Sequence, residues 1–254
     1  MSTPEISFEF FPPASLKDSF RLWNTINALE GFQPKFISIT YGTGNKPRAL
    51  TQDLVETLLE HKDLTVAAHL TCVDMSAEST LDLVRSLAAK GLKDIVALRG
   101  DPAPDHGGAF RPHPLGYQTS CEMIAALKNL GGFKIRAAAY PQGHPESRSQ
   151  AVDLDWLKRK FEAGADEAIT QFFFEADDFL RFRDACVKSG IDAPIIPGIL
   201  PIENWIKTRN FAKDLRTACF RVLHVFKHKD PCTLTLNHAI AIGAERATRV
   251  FRHD

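Results

Sequence analysis

Neither sign of charge predominates in this 254-residue sequence, which has 31 basic and 31 acidic residues. A protein without excess charge has no general attraction for nucleic acid or for an anionic membrane surface. No stretch reaches the roughly 18 apolar residues of a membrane span, and the N-terminal residues lack the basic and apolar segments of a signal peptide. The sequence therefore predicts a cytoplasmic protein whose partners are small molecules, with no nucleic acid and no membrane among them.

Cysteine is scarce, and Cys72, Cys121, Cys186, Cys219 and Cys232 are too far apart in the sequence to form a metal-binding clip. Scattered cysteines of odd number are typical of reduced thiols in a reducing compartment. A glycine-rich dinucleotide fingerprint and a phosphate-binding loop are also missing. We therefore expect no disulfide, no metal site and no nicotinamide site of the Rossmann type.

What the sequence does contain is a repeated switch between short β-like apolar runs and longer stretches of helical period. This alternation is typical of a parallel sheet with crossover helices. Since a single α/β barrel takes about 250 residues, we expect one catalytic domain over residues 1–254. Seven strands are predicted, at residues 6–11, 36–40, 65–70, 94–98, 134–139, 168–173 and 195–199.

A closed (β/α)8 barrel requires an eighth strand, and the C-terminal sequence leaves two alternatives. Residues 221–226 form that strand and residues 237–251 the last helix, or residues 221–226 are helical and the chain ends before an eighth strand. The predicted fold is therefore an α/β TIM barrel whose eighth strand is uncertain or missing.

Glu9 is the first candidate for chemistry. It lies between Phe8 and Phe10 in the first predicted strand, and side chains of a strand alternate between its faces. If the two phenylalanines pack against helices, Glu9 faces the barrel interior, where loss of water raises the pKa of its carboxyl group and suits it to general acid catalysis. The alternative is a structural glutamate paired with an interior Arg or Lys.

Four other predicted strands end in polar residues. The carboxyl ends of parallel barrel strands meet at one mouth, so these side chains are expected to converge there. Taken singly, each has a structural alternative, such as a hydrogen-bonded histidine or a local ion pair. The residues are Thr40, His69, Arg99 with Gly100 and Asp101, and Gln171.

A basic cluster, Lys158 to Lys160, follows the fifth predicted strand beside the beginning of a helix. Three cations in that position suit a phosphate or diphosphate group. A solvated basic helix face is the alternative that the spacing alone favours. On the sixth strand, alternation predicts that Gln171 and Phe173 share a face, where an amide and a phenyl ring could bind a flat heterocycle.

Over residues 7–211 the sequence resembles the methylenetetrahydrofolate reductase family. Several long motifs occur in the family's order, which chance rarely produces. They are Phe8-Glu9-Phe10-Phe11-Pro12-Pro13, Ser38-Ile39-Thr40-Tyr41-Gly42, His69-Leu70-Thr71-Cys72, Ala97-Leu98-Arg99-Gly100-Asp101, Ala139-Tyr140-Pro141 with His144-Pro145, Ala163-Gly164-Ala165-Asp166, Ile169-Thr170-Gln171-Phe172-Phe173-Phe174 and Pro197-Gly198-Ile199-Leu200-Pro201.

The resemblance implies a flavin-containing barrel that reduces 5,10-methylenetetrahydrofolate to 5-methyltetrahydrofolate with NADH or NADPH by ping-pong hydride transfer. Glu9 matches the general acid, and Asp101 matches a carboxylate near the flavin that also touches the pterin. Gln171 matches a contact to pterin and nicotinamide, and Phe211 an aromatic that stacks on the substrate. The positions matched to FAD are Thr40, His69, Arg99, Gly100, Asp101, Tyr117, Ala138, Tyr140, His144, Asp153, Arg159 and Lys160.

Two departures from the family pattern keep other functions open. Trp156 is larger than the residue expected on the flavin-facing helix, and the family's last strand motif is not intact. The alternatives are a reductase of the same family that works without tightly held flavin and a catalytically weak folate-binding protein. The choice between NADH and NADPH and the formation of a homo-oligomer are left open as well.

Overall fold

The computed structural model describes residues 5–41, 48–61, 64–73, 75–101, 110–202 and 205–214. Strands and helices alternate throughout. The strands are β1 (Phe8–Phe10), β2 (Ile37–Ile39), β3 (Val66–Thr71), β4 (Asp94–Leu98), β5 (Lys134–Ala139), β6 (Glu167–Thr170) and β7 (Ile195–Ile196). The helices are α1 (Leu16–Glu30), α2 (Arg48–Leu59), α3 (Ala77–Ala89), α4 (Ser120–Leu130), α5 (Gln150–Glu162), α6 (Ala176–Lys188) and α7 (Trp205–Asp214).

The strands follow one another in the sheet in chain order, from β1 to β7. The pairs from β1 to β5 and the pair β6–β7 are parallel. Sequential parallel strands joined by helices are the arrangement of the (β/α)8 barrels, so the predicted fold class is confirmed. Each of the seven strands lies within or overlaps its predicted range, whereas the alternatives for residues 221–226 and 237–251 lie outside the described residues.

Two strands are shorter than the sequence predicts. β6 ends at Thr170, and β7 is limited to Ile195 and Ile196. The amide of Phe172 donates to the side-chain Oε1 of Gln171 at 3.0 Å instead of to a neighbouring strand. The Phe172 amide is thereby satisfied locally, two residues after the last residue of β6.

The chain divides into two compact units. The first is Met1–Ala137 with Lys160–Asp166, and the second is Ala138–Arg159 with Glu167–Asp254. The expectation of a single domain over residues 1–254 stays a prediction. None of the helices in the described ranges has the length and apolarity needed to span a membrane.

In the first unit, alternation gives the sheet an apolar face and a polar face. Aliphatic residues of β2 to β5, such as Ile37, Ile39, Ile95 and Ile135, are buried in one cluster with apolar residues of α1 to α4. The residues between them project from the opposite face. That face carries the polar side chains Glu9, Ser38, His69, Asp94 and Arg136.

The Ala163-Gly164-Ala165-Asp166 motif has a structural role in the first unit. Gly164 has φ +113°, and a Cβ there would lie 2.7 Å from Cγ of Lys128, so the turn after α5 favours glycine. Asp166 accepts hydrogen bonds from Lys128 Nζ at 2.9 Å and from the Ile135 amide at 2.8 Å. The motif thereby anchors the end of α5 to α4 and β5.

Candidate active site

Glu9 lies on the polar face of the first unit. Phe8 and Phe10 pack against the hydrophobic cluster, so the carboxylate between them projects to the other side, as the alternation predicts. Ser38 is the register partner of Glu9 on β2 and hydrogen-bonds its carboxylate. His69 on β3 places Nε2 3.5 Å from Oε2 of Glu9.

The protein around Glu9 raises the pKa of its carboxyl group. Half of the side-chain surface is exposed, yet enough protein surrounds the carboxylate to displace water, and this desolvation favours the protonated form. The hydrogen bond from Ser38 acts in the opposite direction, because it stabilises the carboxylate. The carboxyl group of Glu9 therefore retains a proton more readily than an ordinary glutamate, and solvent can still reach it.

His69 is almost completely buried, and burial lowers its pKa to about 3. The imidazole is therefore neutral at physiological pH. Within the described ranges its Nε2 has no hydrogen-bond partner, since the 3.5 Å approach to Glu9 does not form a hydrogen bond. A neutral histidine adds no positive charge that would lower the pKa of Glu9.

Three of the four buried side-chain polar atoms without a hydrogen-bond partner in the described residues lie in this region. They are Thr40 Oγ1, His69 Nε2 and Thr71 Oγ1. Ile39 pairs with Ala68, so Thr40 and His69, the next residues of each chain segment, lie side by side, and Thr71 follows two residues later on the same face of β3. Buried polar atoms normally have partners, and an unsatisfied one costs about 1–3 kcal/mol. The cluster is therefore suited to a ligand that supplies hydrogen-bonding groups.

The segment after β4 lies beside the end of β3. The amide of Cys72 donates to the Arg99 carbonyl at 3.1 Å, and the Arg99 guanidinium carbon lies 4.4 Å from the ring centroid of Phe110. Gly100 has φ +89°, and a Cβ there would lie 2.8 Å from Cγ2 of Val73. Any other residue at this position would have to displace the Val73 side chain, so the position favours glycine. Asp101 follows with an exposed side chain.

Tyr117, another predicted cofactor residue of the first unit, packs partly buried against the hydrophobic cluster. Burial raises the pKa of its phenol, and the neighbouring Cys72 adds to this effect while Arg85 opposes it. The phenol is therefore a neutral group with an apolar ring side.

In the second unit, Tyr140, His144 and Asp153 lie together at the loop that follows β5. The rings of Tyr140 and His144 meet edge to face, with centroids 4.7 Å apart. Oδ2 of Asp153 accepts the His144 amide at 2.9 Å, and Nδ1 of His144 accepts the Glu146 amide at 3.1 Å. Because Nδ1 is an acceptor, the neutral His144 ring has its proton on Nε2. Ala138 is partly buried near the end of β5.

A groove of about 500 Å3 borders this loop within the second unit. Its walls are mostly polar and bring acidic, basic and amide groups to one surface. Gln142 Nε2 donates to Oδ2 of Asp178 at 2.6 Å, which joins the loop to α6. The lining residues are Pro141, Gln142, Gly143, His144, Ser147, Ser149, Gln150, Asp153, Asp178 and Arg181.

The basic cluster does not lie at a helix beginning, and that part of the sequence interpretation is wrong. Helix α5 begins at Gln150, so Lys158 to Lys160 fall in its second half. Arg159 forms an exposed i,i+4 ion pair with Asp155 at 2.9 Å, and its guanidinium lies 5.3 Å from the ring centroid of Trp156. Arg159 belongs to the second unit, and Lys160, partly buried, to the first. Binding of a diphosphate by these cations stays a prediction.

Gln171 and Phe211 belong to the second unit, with Phe211 on α7, the helix after the seventh strand. The Phe211 ring stacks on Phe172, with centroids 5.6 Å apart and planes 21° apart. Phe173 instead stacks on Phe179 of α6 at 5.4 Å. The prediction that Gln171 and Phe173 share a face by strand alternation is wrong, because β6 ends at Thr170, before both residues.

Sequence reasoning missed two polar residues of the first unit. Ser38 is buried beside Glu9, and Thr71 is buried at the end of β3. Both occur in the quoted motifs, and each is two positions from a predicted site residue, Thr40 or His69. Period-two alternation along β2 and β3 is the signal that could have found them.

Comparisons with known proteins identify the family. The family model for methylenetetrahydrofolate reductase matches residues 2–222. The 5,10-methylenetetrahydrofolate reductase of Pectobacterium carotovorum subsp. carotovorum is 44% identical over 207 residues, covering 82% of this chain and 67% of that protein. The enzyme of the same name from Escherichia coli strain K12 is 43% identical, covering 82% and 68%.

The chain belongs to the methylenetetrahydrofolate reductase family. Membership confirms the resemblance predicted from the sequence motifs, all of which fall within the matched residues. The residues that the methylenetetrahydrofolate reductase family model matches include the polar residues of the first unit, Glu9, Thr40, His69 and Thr71.

A solved structure supports the fold independently. An uncharacterized protein from Clostridium thermocellum that binds two copies of 5-methyl-5,6,7,8-tetrahydrofolic acid superposes with a TM-score of 0.67. The match covers 98% of this chain and 83% of that chain at 15% sequence identity. At this identity the likeness concerns the fold alone.

Proposed function

We propose that this chain reduces 5,10-methylenetetrahydrofolate to 5-methyltetrahydrofolate with NADH or NADPH, using bound FAD. The observation that carries the proposal is the polar face of the first unit. There Glu9, whose carboxyl pKa is raised by desolvation, lies beside a buried neutral His69 and next to polar atoms that lack partners within the described residues. Family membership supplies the substrate class.

The chemistry of the polar cluster fits FAD. Thr40 Oγ1 and His69 Nε2 are buried and unsatisfied, and a flavin ring carries hydrogen-bonding groups along its edge. When bound, FAD supplies a two-electron carrier between the nicotinamide and the folate. In the first unit the proposed FAD contacts are Thr40, His69, Arg99, Gly100, Asp101, Tyr117 and Lys160. In the second unit they are Ala138, Tyr140, His144, Asp153 and Arg159.

Glu9 is proposed as the proton donor. In the reaction one C–N bond of the folate's bridged ring breaks, the departing nitrogen takes a proton, and the one-carbon unit gains a hydride. Desolvation of Glu9 keeps that proton available near neutral pH. The resulting carboxylate is stabilised by Ser38, and its half-exposed surface allows solvent to restore the proton.

The remaining roles concern binding. Asp101 places a carboxylate after β4, where its charge would disfavour additional negative charge on the cofactor. Gln171 uses Oε1 for the Phe172 amide, so its side-chain NH2 is the group proposed to contact pterin or nicotinamide. The Phe172–Phe211 stack supports the proposed aromatic surface for the substrate ring.

The absorbance spectrum of the purified chain, followed by titration with FAD, tests the cofactor. Anaerobic mixing first with NADH or NADPH and then with 5,10-methylenetetrahydrofolate tests the two half-reactions separately. We expect the flavin absorbance to be bleached by the first substrate and restored by the second. A preparation that cannot bind FAD yet oxidises NADH in a folate-dependent manner would contradict the flavin part, and absence of turnover with bound FAD would contradict the reductase.

A further inference from the structure

Thr71, for which the family resemblance implies no function, has a buried hydroxyl without a partner among the residues that the structure describes. The residue is 8% exposed, and its Oγ1 makes no hydrogen bond to any part of the chain that the structure describes. A threonine hydroxyl can donate one hydrogen bond and accept two, so burial without a partner is unfavourable. The feature therefore requires an explanation outside the protein's own packing.

The backbone around Thr71 is fixed from the side of β4. Thr71 pairs with Leu98 in the parallel ladder, and the next amide, that of Cys72, donates to the Arg99 carbonyl at 3.1 Å. The side chain is also closely packed, because the Cβ of Thr71 lies 3.0 Å from the position that a Cβ on Gly100 would take. The backbone that carries the hydroxyl is thus held in place by strand pairing, and the Cβ of Thr71 is held by close packing against Gly100.

The neighbours of Thr71 are residues proposed to bind the cofactor. His69 precedes it by two positions on the same face of β3, and Gly100 lies against its Cβ. His69 Nε2 and Thr40 Oγ1 are unsatisfied in the same way. Three orphan polar atoms on two adjacent strand ends favour one common ligand over three separate packing defects, because native proteins contain few such atoms.

We propose that Thr71 is a further cofactor-binding residue, whose hydroxyl hydrogen-bonds the flavin ring of FAD beside His69. The inference rests on the proposed function for the identity of the ligand. It adds Thr71 to the cofactor site. It also predicts that the Thr71 hydroxyl lowers the stability of the FAD-free protein and strengthens the binding of FAD. This opposition separates a ligand-binding hydroxyl from a structural one.

Thr71→Val tests the proposal, because valine keeps the shape and removes the hydroxyl. In the FAD-free protein, loss of an unsatisfied buried hydroxyl should raise the melting temperature, by about 2–4 °C. FAD binding, measured by quenching of flavin fluorescence, should weaken about three- to tenfold. Thr71→Ser keeps the hydroxyl, so it should bind FAD within about twofold of the original chain.

Thr80→Val is the matched control. Thr80 is also buried, on α3, but its hydroxyl donates to the Ser76 carbonyl at 2.9 Å. The same substitution there should lower the melting temperature and leave the affinity for FAD unchanged. The same threonine-to-valine change is thus expected to raise the melting temperature at Thr71 and to lower it at Thr80.

The proposal is overturned if Thr71→Val binds FAD as tightly as the original chain, or if it loses stability as Thr80→Val does. Failure of the original chain to bind FAD would overturn both this inference and the flavin function. If the original chain binds FAD but does not reduce the folate, and Thr71→Val weakens FAD binding, the inference stands while the proposed reaction falls.

Discussion

The imidazole Nε2 of His69 lies 3.5 Å from the carboxylate Oε2 of Glu9, and the two groups are shifted by burial in opposite directions. Desolvation lowers the pKa of His69 to about 3 and raises the pKa of Glu9. Both groups therefore favour the neutral form. Glu9 thus combines a raised pKa with a neighbour that adds no charge, which suits the proposed role of general acid.

Glu9→Gln should separate the two half-reactions. Glutamine has nearly the same shape but no acidic proton, so reduction of the folate should slow by about 100-fold or more. Reduction of FAD by NADH or NADPH requires no proton from Glu9 and should change by less than about twofold. Stopped-flow absorbance of each half-reaction measures both rates.

Glu5→Gln is the control for the Glu9 experiment, since Glu5 is an exposed carboxylate paired with Lys35 on the surface. It should leave both half-reactions unchanged. If Glu9→Gln slowed both half-reactions equally, Glu9 would have a structural role instead.

Ser38→Ala should move the pH dependence of folate reduction to higher pH. The acid must be protonated, so the rate falls as pH rises through the pKa of Glu9. The Ser38 hydrogen bond lowers that pKa, and its removal raises it further. The measurement is the pH profile of the folate half-reaction in both proteins. An unmoved falling limb, or one displaced to lower pH, would count against Ser38 as a positioning residue for Glu9.

His69 should make the FAD-free protein sensitive to acid. The pKa of His69 is about 3 in the folded protein, against an ordinary value of 6.5, so below pH 6.5 the unfolded chain binds the proton first. Stability is therefore complete above pH 6.5 and is lost as pH falls towards 3, by about 2 kcal/mol at pH 5. Urea unfolding at pH 7 and pH 5 should show this loss, and His69→Gln should abolish it.

The exposed His61 provides the comparison for the acid experiment. His61→Gln should keep the pH dependence of the original chain. Equal pH dependence in the original chain and in His69→Gln would show that His69 does not titrate as proposed.

Asp94 and Arg136 form a buried ion pair that should be important for stability. Arg136 Nη1 lies 2.6 Å from Asp94 Oδ1, with side chains 2% and 10% exposed, and the guanidinium carbon lies 3.8 Å from the Phe36 ring centroid. Asp94→Asn removes one buried charge and should cost about 3–5 kcal/mol in urea unfolding. Asp82→Asn breaks the exposed pair with Arg85 and should cost no more than about 1 kcal/mol. If Asp94→Asn lowered the free energy of unfolding by as little as Asp82→Asn does, the buried pair would not have the proposed importance for stability.

The sequence by itself determined the order of strands and helices and the face on which Glu9 lies. These features depend on local periodicity, since a strand repeats every two residues and a helix every 3.6. The alternation Phe8, Glu9, Phe10 is sufficient to place the carboxylate opposite the core. The family followed from motifs for the same reason, because each motif is a contiguous run of residues.

Only the tertiary structure decided which groups surround Glu9 and which lack partners. Ser38 and His69 come from other strands, and Arg136 meets Asp94 across 42 positions of the chain. The end of β6 at Thr170 and the stacking of Phe211 on Phe172 likewise came from the folded structure. Desolvation and hydrogen-bond satisfaction depend on atoms brought together by folding, and no local pattern records them.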